Sequence, residues 1–312
     1  MLVLVGIAVS VTAAFTALFY VRSNDHPAPT KIDLNASSVQ KEISIKKKLQ
    51  ERHQSRGKTS SGNPDAKLPV GQFAAKSWVV LDLGIQIDLS KYDPWEQGDD
   101  FALRVCGVEG GQKDVTVGEI KRQLKVRPEN MDWHCVTGWS TLGLRFKGVR
   151  MADFIELVKP QENWVCLWQV SADGYTTPIM REDLESDPDA FIALSDDEGK
   201  LLPIEHGGIR LVTPSLFGWK SAKYLTELHF LPYYRNGFWE NLGCHKRGRV
   251  KFDERWDAKS EGVWKWLIWM GDQYRIWLGP RVYYFNMWAG AKVLGWFTRL
   301  FHLFTTEDEK RN

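Results

Sequence analysis

The chain opens on an almost unbroken apolar run, residues 2–21, that contains no charged side chain. About twenty such residues are enough to cross a bilayer as one helix. The alternative is a cleaved signal peptide, which usually has a basic stretch ahead of a shorter apolar core. No lysine or arginine precedes this run. The pattern therefore favours a transmembrane anchor at residues 1–22.

After residue 21 the sequence becomes polar and charged. Residues 22–58 contain nine lysines and arginines against four acidic residues, and the positive-inside rule places such a segment, with the domain that follows it, on the cytosolic side. A glycosylation sequon at Asn35 would indicate the opposite side if it were used. Residues 57–67 are rich in Ser, Gly, Asn and Pro, which is typical of a flexible linker. We predict a basic linker at residues 23–67.

From residue 68 onward, short strand-like and helix-like patterns are mixed. Residues 101–108 alternate as a strand does, and residues 164–170 form a buried, β-rich run. Residues 149–158 predict a short amphipathic helix that ends at Lys159-Pro160. Further elements are predicted as a strand edge entering a helix at 115–124, a helix interrupted by Pro188 at 182–194, and strands at 209–213 and 221–231. This mixture, without regular βα alternation, predicts an α+β domain at residues 68–257.

The last part of the chain, residues 258–312, predicts a helical tail. Residues 261–278 and 281–304 are rich in aromatic side chains and are separated by Gly279-Pro280. Aromatic residues with a few basic ones suit the membrane interface. The alternative is that these helices pack on the domain or on a partner protein.

Composition narrows the class of protein. The 312 residues are 43% hydrophobic and 26% charged, with a net charge of +2, which is ordinary for a globular protein and does not indicate nucleic-acid binding. The cysteines, Cys106, Cys135, Cys166 and Cys244, are widely spaced and form no CxxC pair. This argues against a zinc site or a disulfide framework and fits a reducing compartment.

Cys135 lies between apolar, indole and hydroxyl side chains in residues 132–140. On its own, such a cysteine is normally a small buried hydrophobic residue. A zinc or thiol enzyme built on Cys135 and His134 would need a second ligand cluster, which the sequence lacks. Four further motifs follow in order: Ala-Asp-Gly-Tyr-Thr-Thr at 172–177, His-Gly-Gly-Ile-Arg-Leu-Val-Thr-Pro at 206–214, Gly-Trp-Lys-Ser-Ala-Lys-Tyr at 218–224 and Gly-Phe-Trp-Glu at 237–240.

Together, these five segments resemble the molybdopterin-binding domain of the sulfite oxidase family, and most closely its small single-domain branch. The resemblance covers roughly residues 68–256. It implies a mixed, mostly-β fold and a molybdenum-cofactor-dependent oxidoreductase. It also implies that Cys135 is the protein ligand to molybdenum, since the matching cysteine has that role in the family.

The resemblance implies roles for further residues. Arg210 and Lys223 occupy the positions that hold the phosphate of the molybdopterin cofactor, a task suited to their charge. The other implied cofactor contacts are His134, Thr137, His206 and Ser221, and the implied catalytic residues beside the pterin are Asp173 and Tyr175. Two alternatives stay open: His134 packed and hydrogen-bonded locally, and Asp173 forming an Asx turn without a ligand.

Cys244 departs from the family pattern, which commonly has a tyrosine at this position. A thiol is a poorer hydrogen-bond donor than a phenol, which puts sulfite oxidation in doubt and fits a different substrate. His245 and Tyr234 are alternative donors, and the sequence does not decide between them.

The expected activity is two-electron oxygen-atom transfer on a small oxyanion, sulfoxide or N-oxide. No haem, flavin or nicotinamide fingerprint is evident in the sequence, so a separate electron-transfer partner is expected. The alternative is a membrane-tethered, non-catalytic binding protein on a degenerate molybdopterin fold. The presence of Cys135, Arg210 and Lys223 argues against this alternative, because such a protein has no need of phosphate-binding charges.

Overall fold

The structure is a computed structural model that describes residues 68–75, 92–202, 206–241 and 243–257. The predicted anchor, basic linker and helical tail lie outside these ranges. Among the described residues, no helix has both the length and the apolar character needed to cross a membrane.

The described part of the chain is rich in strands and has few, short helices. The strands are β1 Phe73–Ala74, β2 Ala102–Val108, β3 Gly111–Thr116, β4 Arg127–His134, β5 Trp139–Arg150, β6 Cys166–Ser171, β7 Thr176–Met180, β8 Phe191–Asp196, β9 Arg210–Val212 and β10 Leu225–Leu231. The helices are α1 Pro94–Gln97, α2 Val117–Gln123, α3 Met151–Val158, α4 Arg181–Glu185 and α5 Phe238–Asn241. This is the mixed, sheet-rich fold that the sequence predicts.

The strands form two five-stranded sheets. The first has the order β1-β5-β8-β9, with β4 also paired to β5, and the second has the order β3-β2-β10-β6-β7. In the first sheet, β4 and β5 form an antiparallel hairpin that runs from Arg127 opposite Gly148 to His134 opposite Ser140. Residues 135–138 are the turn of this hairpin, and β1 pairs with β5 in parallel beside that turn.

The main core is formed by the second sheet, by β8 and β9 of the first sheet and by the short helices. The buried residues of β2 are Leu103, Val105 and Val108, those of β10 are Leu225, Leu228 and Phe230, and α3 contributes Met151, Phe154 and Val158 to the same core. Spacing of three and four residues places the α3 side chains on one face of a helix, as the amphipathic pattern requires. The chain leaves α3 at Lys159, whose φ of 53° ends the helix before Pro160.

Several predicted elements are confirmed, one is wrong, and one is confirmed over part of its length. The strand at 101–108, the helix at 149–158 and the strand at 164–170 correspond to β2, α3 and β6 within two residues at each end. The predicted helix at 182–194 is wrong because α4 ends at Glu185 and the run Phe191–Asp196 is a strand. This run is apolar because β8 lies between β5 and β9 and is buried on both faces.

The predicted strand at 221–231 begins four residues late, at Leu225. Tyr224 has a φ of 53°, which an extended strand does not allow. The hydroxyl and carbonyl of Ser221 are instead used to hold a buried arginine, Arg210. Residues 221–224 therefore form part of the candidate site rather than of the sheet.

Candidate active site

Cys135 is the first residue of the tight turn at the tip of the β4–β5 hairpin. Its amide donates a hydrogen bond to the carbonyl of Trp139 at 2.9 Å, and its carbonyl accepts one from the amide of Gly138 at 3.1 Å. Gly138 has a φ of 94°, a conformation that favours glycine. The hydroxyl of Thr137 lies 3.2 Å from the Cys135 sulfur. The hairpin thus presents one sulfur beside one hydroxyl.

The electrostatic surroundings of this sulfur come from three other residues. Burial raises the pKa of the Cys135 thiol, while hydrogen bonds from Thr137 and the positive charges of Arg255 and Lys223 act in the opposite direction. A metal at the sulfur would favour the thiolate further. The sulfur therefore lies within electrostatic reach of two cations.

A chain of polar side chains supports the turn from the β1 side. Gln72 donates from Nε2 to the Cys135 carbonyl at 2.9 Å and accepts a hydrogen bond from the Ser140 hydroxyl at 3.3 Å. The His134 Nδ1 lies 2.8 Å from the same hydroxyl. The imidazole tautomer decides which of these two groups donates. Burial lowers the pKa of His134, which favours the neutral imidazole. His134 therefore has the local hydrogen bond of the open alternative.

Arg210 begins β9 and its side chain is almost completely buried. Its guanidinium donates to the hydroxyl and carbonyl of Ser221 and to the carbonyl of His206, at 3.0 to 3.1 Å. Its Cζ lies 4.4 Å from the centre of the Trp133 ring, a cation–π distance. Burial lowers the pKa of Arg210 to about 9. Because Trp133 is two residues from Cys135 on the same hairpin, Arg210 and the sulfur belong to one region.

Lys223 packs against a two-glycine turn. Gly207 and Gly208 have φ angles of 82° and 61°, and a Cβ on Gly207 would lie 2.4 Å from the Lys223 Cβ. The Gly207 carbonyl accepts a hydrogen bond from the Tyr224 amide at 2.7 Å. Glycine is required here by both conformation and space. The structure thus brings the 206–214 and 218–224 motifs into one cluster.

The predicted catalytic residues Asp173 and Tyr175 lie in the loop at 172–175. An Asp173 carboxylate oxygen accepts from the Tyr175 amide at 3.0 Å, which is the Asx turn of the open alternative. The Tyr175 hydroxyl donates to the Trp219 carbonyl. Burial, followed by the charge of Glu240, raises the pKa of Tyr175 well above its usual range. Tyr175 is therefore a neutral phenol whose proton is directed at the backbone.

Cys244 is buried and packs with Phe217 and Trp219, and Val136 of the hairpin turn contacts the same cluster. Burial and the charge of Glu240 raise the pKa of the Cys244 thiol well above its usual value. Cys244 is therefore a neutral thiol next to the turn that carries Cys135.

The two alternative donors differ in their hydrogen bonds. His245 Nδ1 accepts from the amides of Arg247 and Gly248, at 3.3 and 3.4 Å. The Tyr234 hydroxyl is buried and has no hydrogen-bond partner among the described residues. Burial raises the pKa of Tyr234, so this hydroxyl keeps its proton. Each residue therefore has a donor, Nε2–H in His245 and the hydroxyl in Tyr234.

His245 leads to a prediction about pH. Burial lowers its pKa below the usual 6.5, and protonation of Nδ1 would remove both hydrogen bonds from Arg247 and Gly248. The unfolded chain then binds a proton at a higher pH than the folded protein does, so the contribution of His245 to stability is present above about pH 6.5 and is lost as the pH falls. We expect the free energy of unfolding to decline less steeply from pH 7.5 to pH 5 in His245→Gln than in the wild type, as measured by urea titration. Equal slopes would contradict this.

Three side chains of this region have no role assigned to them by the sequence. Gln72 and Arg255 contact the Cys135 turn, and Trp133 contacts Arg210. Trp133 lies inside the 132–140 segment, and its place beside Cys135 is the signal that could have indicated it.

Comparisons with known proteins show which family this chain resembles. The family model described as the oxidoreductase molybdopterin-binding domain matches residues 91–239. The chain is 32% identical over 206 residues to "Uncharacterized oxidoreductase YuiH" of Bacillus subtilis, covering 64% of this chain and 98% of that protein. It is also 32% identical over 146 residues to "Putative protein-methionine-sulfoxide reductase subunit YedZ1" of Azospira oryzae, covering 46% of this chain and 53% of that protein.

Among solved structures, the chain is similar to the sulfane dehydrogenase SoxCD from Paracoccus pantotrophus. The TM-score is 0.38 at 17% identity, over 43% of this chain and 39% of that one.

Proposed function

Because the chain belongs to the oxidoreductase molybdopterin-binding family of the sulfite oxidase type, we propose that it catalyses two-electron oxygen-atom transfer on a small sulfoxide, N-oxide or oxyanion. The protein is a molybdopterin-dependent oxidoreductase. The observation that carries the proposal is the convergence of the Cys135 sulfur, the buried Arg210 and Lys223 on one region.

The residues of this region fit a molybdenum–pterin cofactor with a phosphate. A thiol is a suitable ligand for the metal. A buried guanidinium held by Ser221 and His206, together with the Lys223 ammonium, is a suitable donor set for a dianion. A Cβ at position 207 would clash with the Lys223 side chain, so glycine allows the backbone of this turn to pack directly against Lys223. The fit therefore rests on the chemistry of the donors and on the space that glycine provides.

The bound cofactor supplies the redox and oxygen-atom chemistry. Cys135 would hold the metal from the hairpin tip, and the Thr137 hydroxyl beside the sulfur would orient it. Arg210 and Lys223 would bind the anionic end, with Ser221 and His206 keeping the guanidinium in place. His134 would contact the cofactor through Nε2, since Nδ1 is paired with Ser140.

For the substrate, we favour a neutral sulfoxide or N-oxide over sulfite. Cys244 stands where the family commonly has a tyrosine, and the Tyr175 proton is directed at a backbone carbonyl. Asp173 and Tyr175 would shape the substrate side through their turn. Reduction of a sulfoxide is also supported by the name of the Azospira relative.

We further propose a separate electron-transfer partner, and membrane attachment through residues 1–22 with the domain on the cytosolic side.

Metal analysis of the purified protein tests this proposal. We expect about one molybdenum per chain, and reduction or oxidation of the bound metal by at least one compound in a panel of sulfite, sulfoxides and N-oxides. A protein without molybdenum after expression in a host that makes the cofactor would instead be the non-catalytic binding protein.

Lys223→Met tests the phosphate end of the site. Loss of a charge-assisted hydrogen bond to phosphate is expected to weaken cofactor retention about 10- to 100-fold. The measurement is the molybdenum content per chain after extended dialysis. Lys200→Met is the matched control, because Lys200 pairs with Glu198 on the surface. Equal retention in both variants would contradict the role of Lys223.

A further inference from the structure

Arg255 is a buried arginine whose guanidinium is directed at the turn that carries Cys135. Its side chain is 1% exposed. Nη1 donates to the Val136 carbonyl at 2.6 Å and lies 3.5 Å from the Cys135 carbonyl, and Nη2 donates to the Val70 carbonyl at 3.1 Å. One planar group therefore joins the hairpin turn to the segment that precedes β1.

The orientation of this guanidinium is fixed from two further sides. Nε donates to an Asp253 carboxylate oxygen at 2.6 Å, and the guanidinium carbon lies 4.4 Å from the centre of the Phe217 ring. A planar fork of donors that is stacked on a ring has little freedom to turn. The position of Arg255 is thus determined independently of the turn that it holds.

The loop that carries Arg255, residues 243–257, is held together by contacts between its own residues. Cys244 pairs with Trp256 as an isolated bridge, and the His245 amide donates to the Arg255 carbonyl at 3.1 Å. Arg249 and Glu254 form a two-point ion pair across the loop, at 2.6 and 2.9 Å. The loop therefore forms a rigid support for Arg255.

We propose that Arg255 is a positioning residue for Cys135, which fixes the peptide planes after the cysteine and so directs the sulfur toward the metal. The proposal rests on the proposed function for the identity of the metal, but the restraint on the turn is a property of the protein itself. Gln72 holds the Cys135 carbonyl and Arg255 holds the Val136 carbonyl. The backbone on both sides of Val136 is therefore restrained by side chains from outside the hairpin.

The test is Arg255→Lys, which keeps the charge but loses the planar fork. We expect amide hydrogen exchange in the peptide that covers residues 135–138 to accelerate tenfold or more, since a charge-assisted hydrogen bond corresponds to roughly that factor or more. We also expect the sulfur-to-molybdenum charge-transfer absorption, per bound molybdenum, to shift. A residue that merely stabilised the fold would leave this absorption unchanged.

Arg247→Lys is the matched control. Arg247 lies on the same loop and pairs with Asp183 through three hydrogen bonds, away from the hairpin turn. It should change neither measurement. Wild-type exchange in Arg255→Lys, or faster exchange with an unchanged absorption, would overturn the proposal.

If Arg255→Lys does not fold, Asp253→Asn provides a second variant for the same measurements. It retains the arginine and removes the charge that orients Nε, so smaller changes of the same kind are expected, and wild-type behaviour in it would overturn the proposal. A wild-type protein without molybdenum would refute the proposed function, and the exchange comparison would still decide whether Arg255 restrains the turn.

Discussion

Replacing Cys135 by serine is expected to lower oxidoreductase turnover by about a thousandfold or more while leaving the fold intact. The Cys135 sulfur is the thiol ligand that the hairpin tip offers to a metal, and the stabilisation that a bound metal gives to a reacting group is several kcal/mol. The hydroxyl of serine is a weak ligand and a close substitute in volume. Turnover is measured with the substrate found in the panel, and folding by the urea midpoint.

Cys106→Ser is the control for this experiment. Cys106 lies on β2, with its sulfur 3.6 Å from a Gln112 oxygen and remote from the hairpin turn. Turnover in this variant should equal that of the wild type. Retention of activity in Cys135→Ser would refute the assignment of the metal ligand, and loss of activity in both variants would indicate a general effect of removing a thiol.

Glu240→Gln is expected to lower the free energy of unfolding by about 3–5 kcal/mol, because it leaves a buried lysine without its counter-charge. The Lys220 Nζ lies 2.6 Å from a Glu240 oxygen, and both side chains are 1% exposed. The same oxygen accepts from the Trp219 indole at 3.1 Å. The lysine also donates to the carbonyls of Pro178 and Lys246. Urea-induced unfolding followed by tryptophan fluorescence measures the loss.

A double variant separates the ion pair from its surroundings. In Lys220→Met/Glu240→Leu neither charge is left alone, so most of the stability lost in the single variant should return. Glu198→Gln, on the exposed Lys200–Glu198 pair, is the control and should change nothing measurable. If Glu240→Gln behaved like Glu198→Gln, the buried pair would not contribute to stability as proposed.

The sequence predicts the parts of this fold in which local pattern and tertiary environment agree. β2 alternates because one face is buried, and α3 has its apolar residues at helical spacing, so both are found. β8 is misread because its residues are buried on both faces, and such a run has no period of two. The sequence pattern does not predict the β4–β5 hairpin, although this hairpin carries the central motif.

The residues of the candidate site also divide into those that the sequence indicates and those that it does not. Cys135, Arg210 and Lys223 come from motifs with a family resemblance, and the structure brings them to one region. Arg255 contacts carbonyls that lie 119 and 185 positions earlier in the chain. Nothing near Arg255 in the sequence indicates these contacts, since a buried arginine in a loop has the same local pattern as an exposed one.

The contacts of Gln72 and Arg255 with the Cys135 turn have a practical consequence for shortened forms of this protein made for expression. A fragment cut to residues 91–239, where the family model matches, would keep the thiol and both cations of the candidate site. It would lose Gln72 at one end and Arg255 at the other. These two side chains lie outside the hairpin and donate hydrogen bonds to the backbone carbonyls of Cys135 and Val136. Such a fragment would be a poor test of catalysis, whereas one that spans residues 68–257 would retain both.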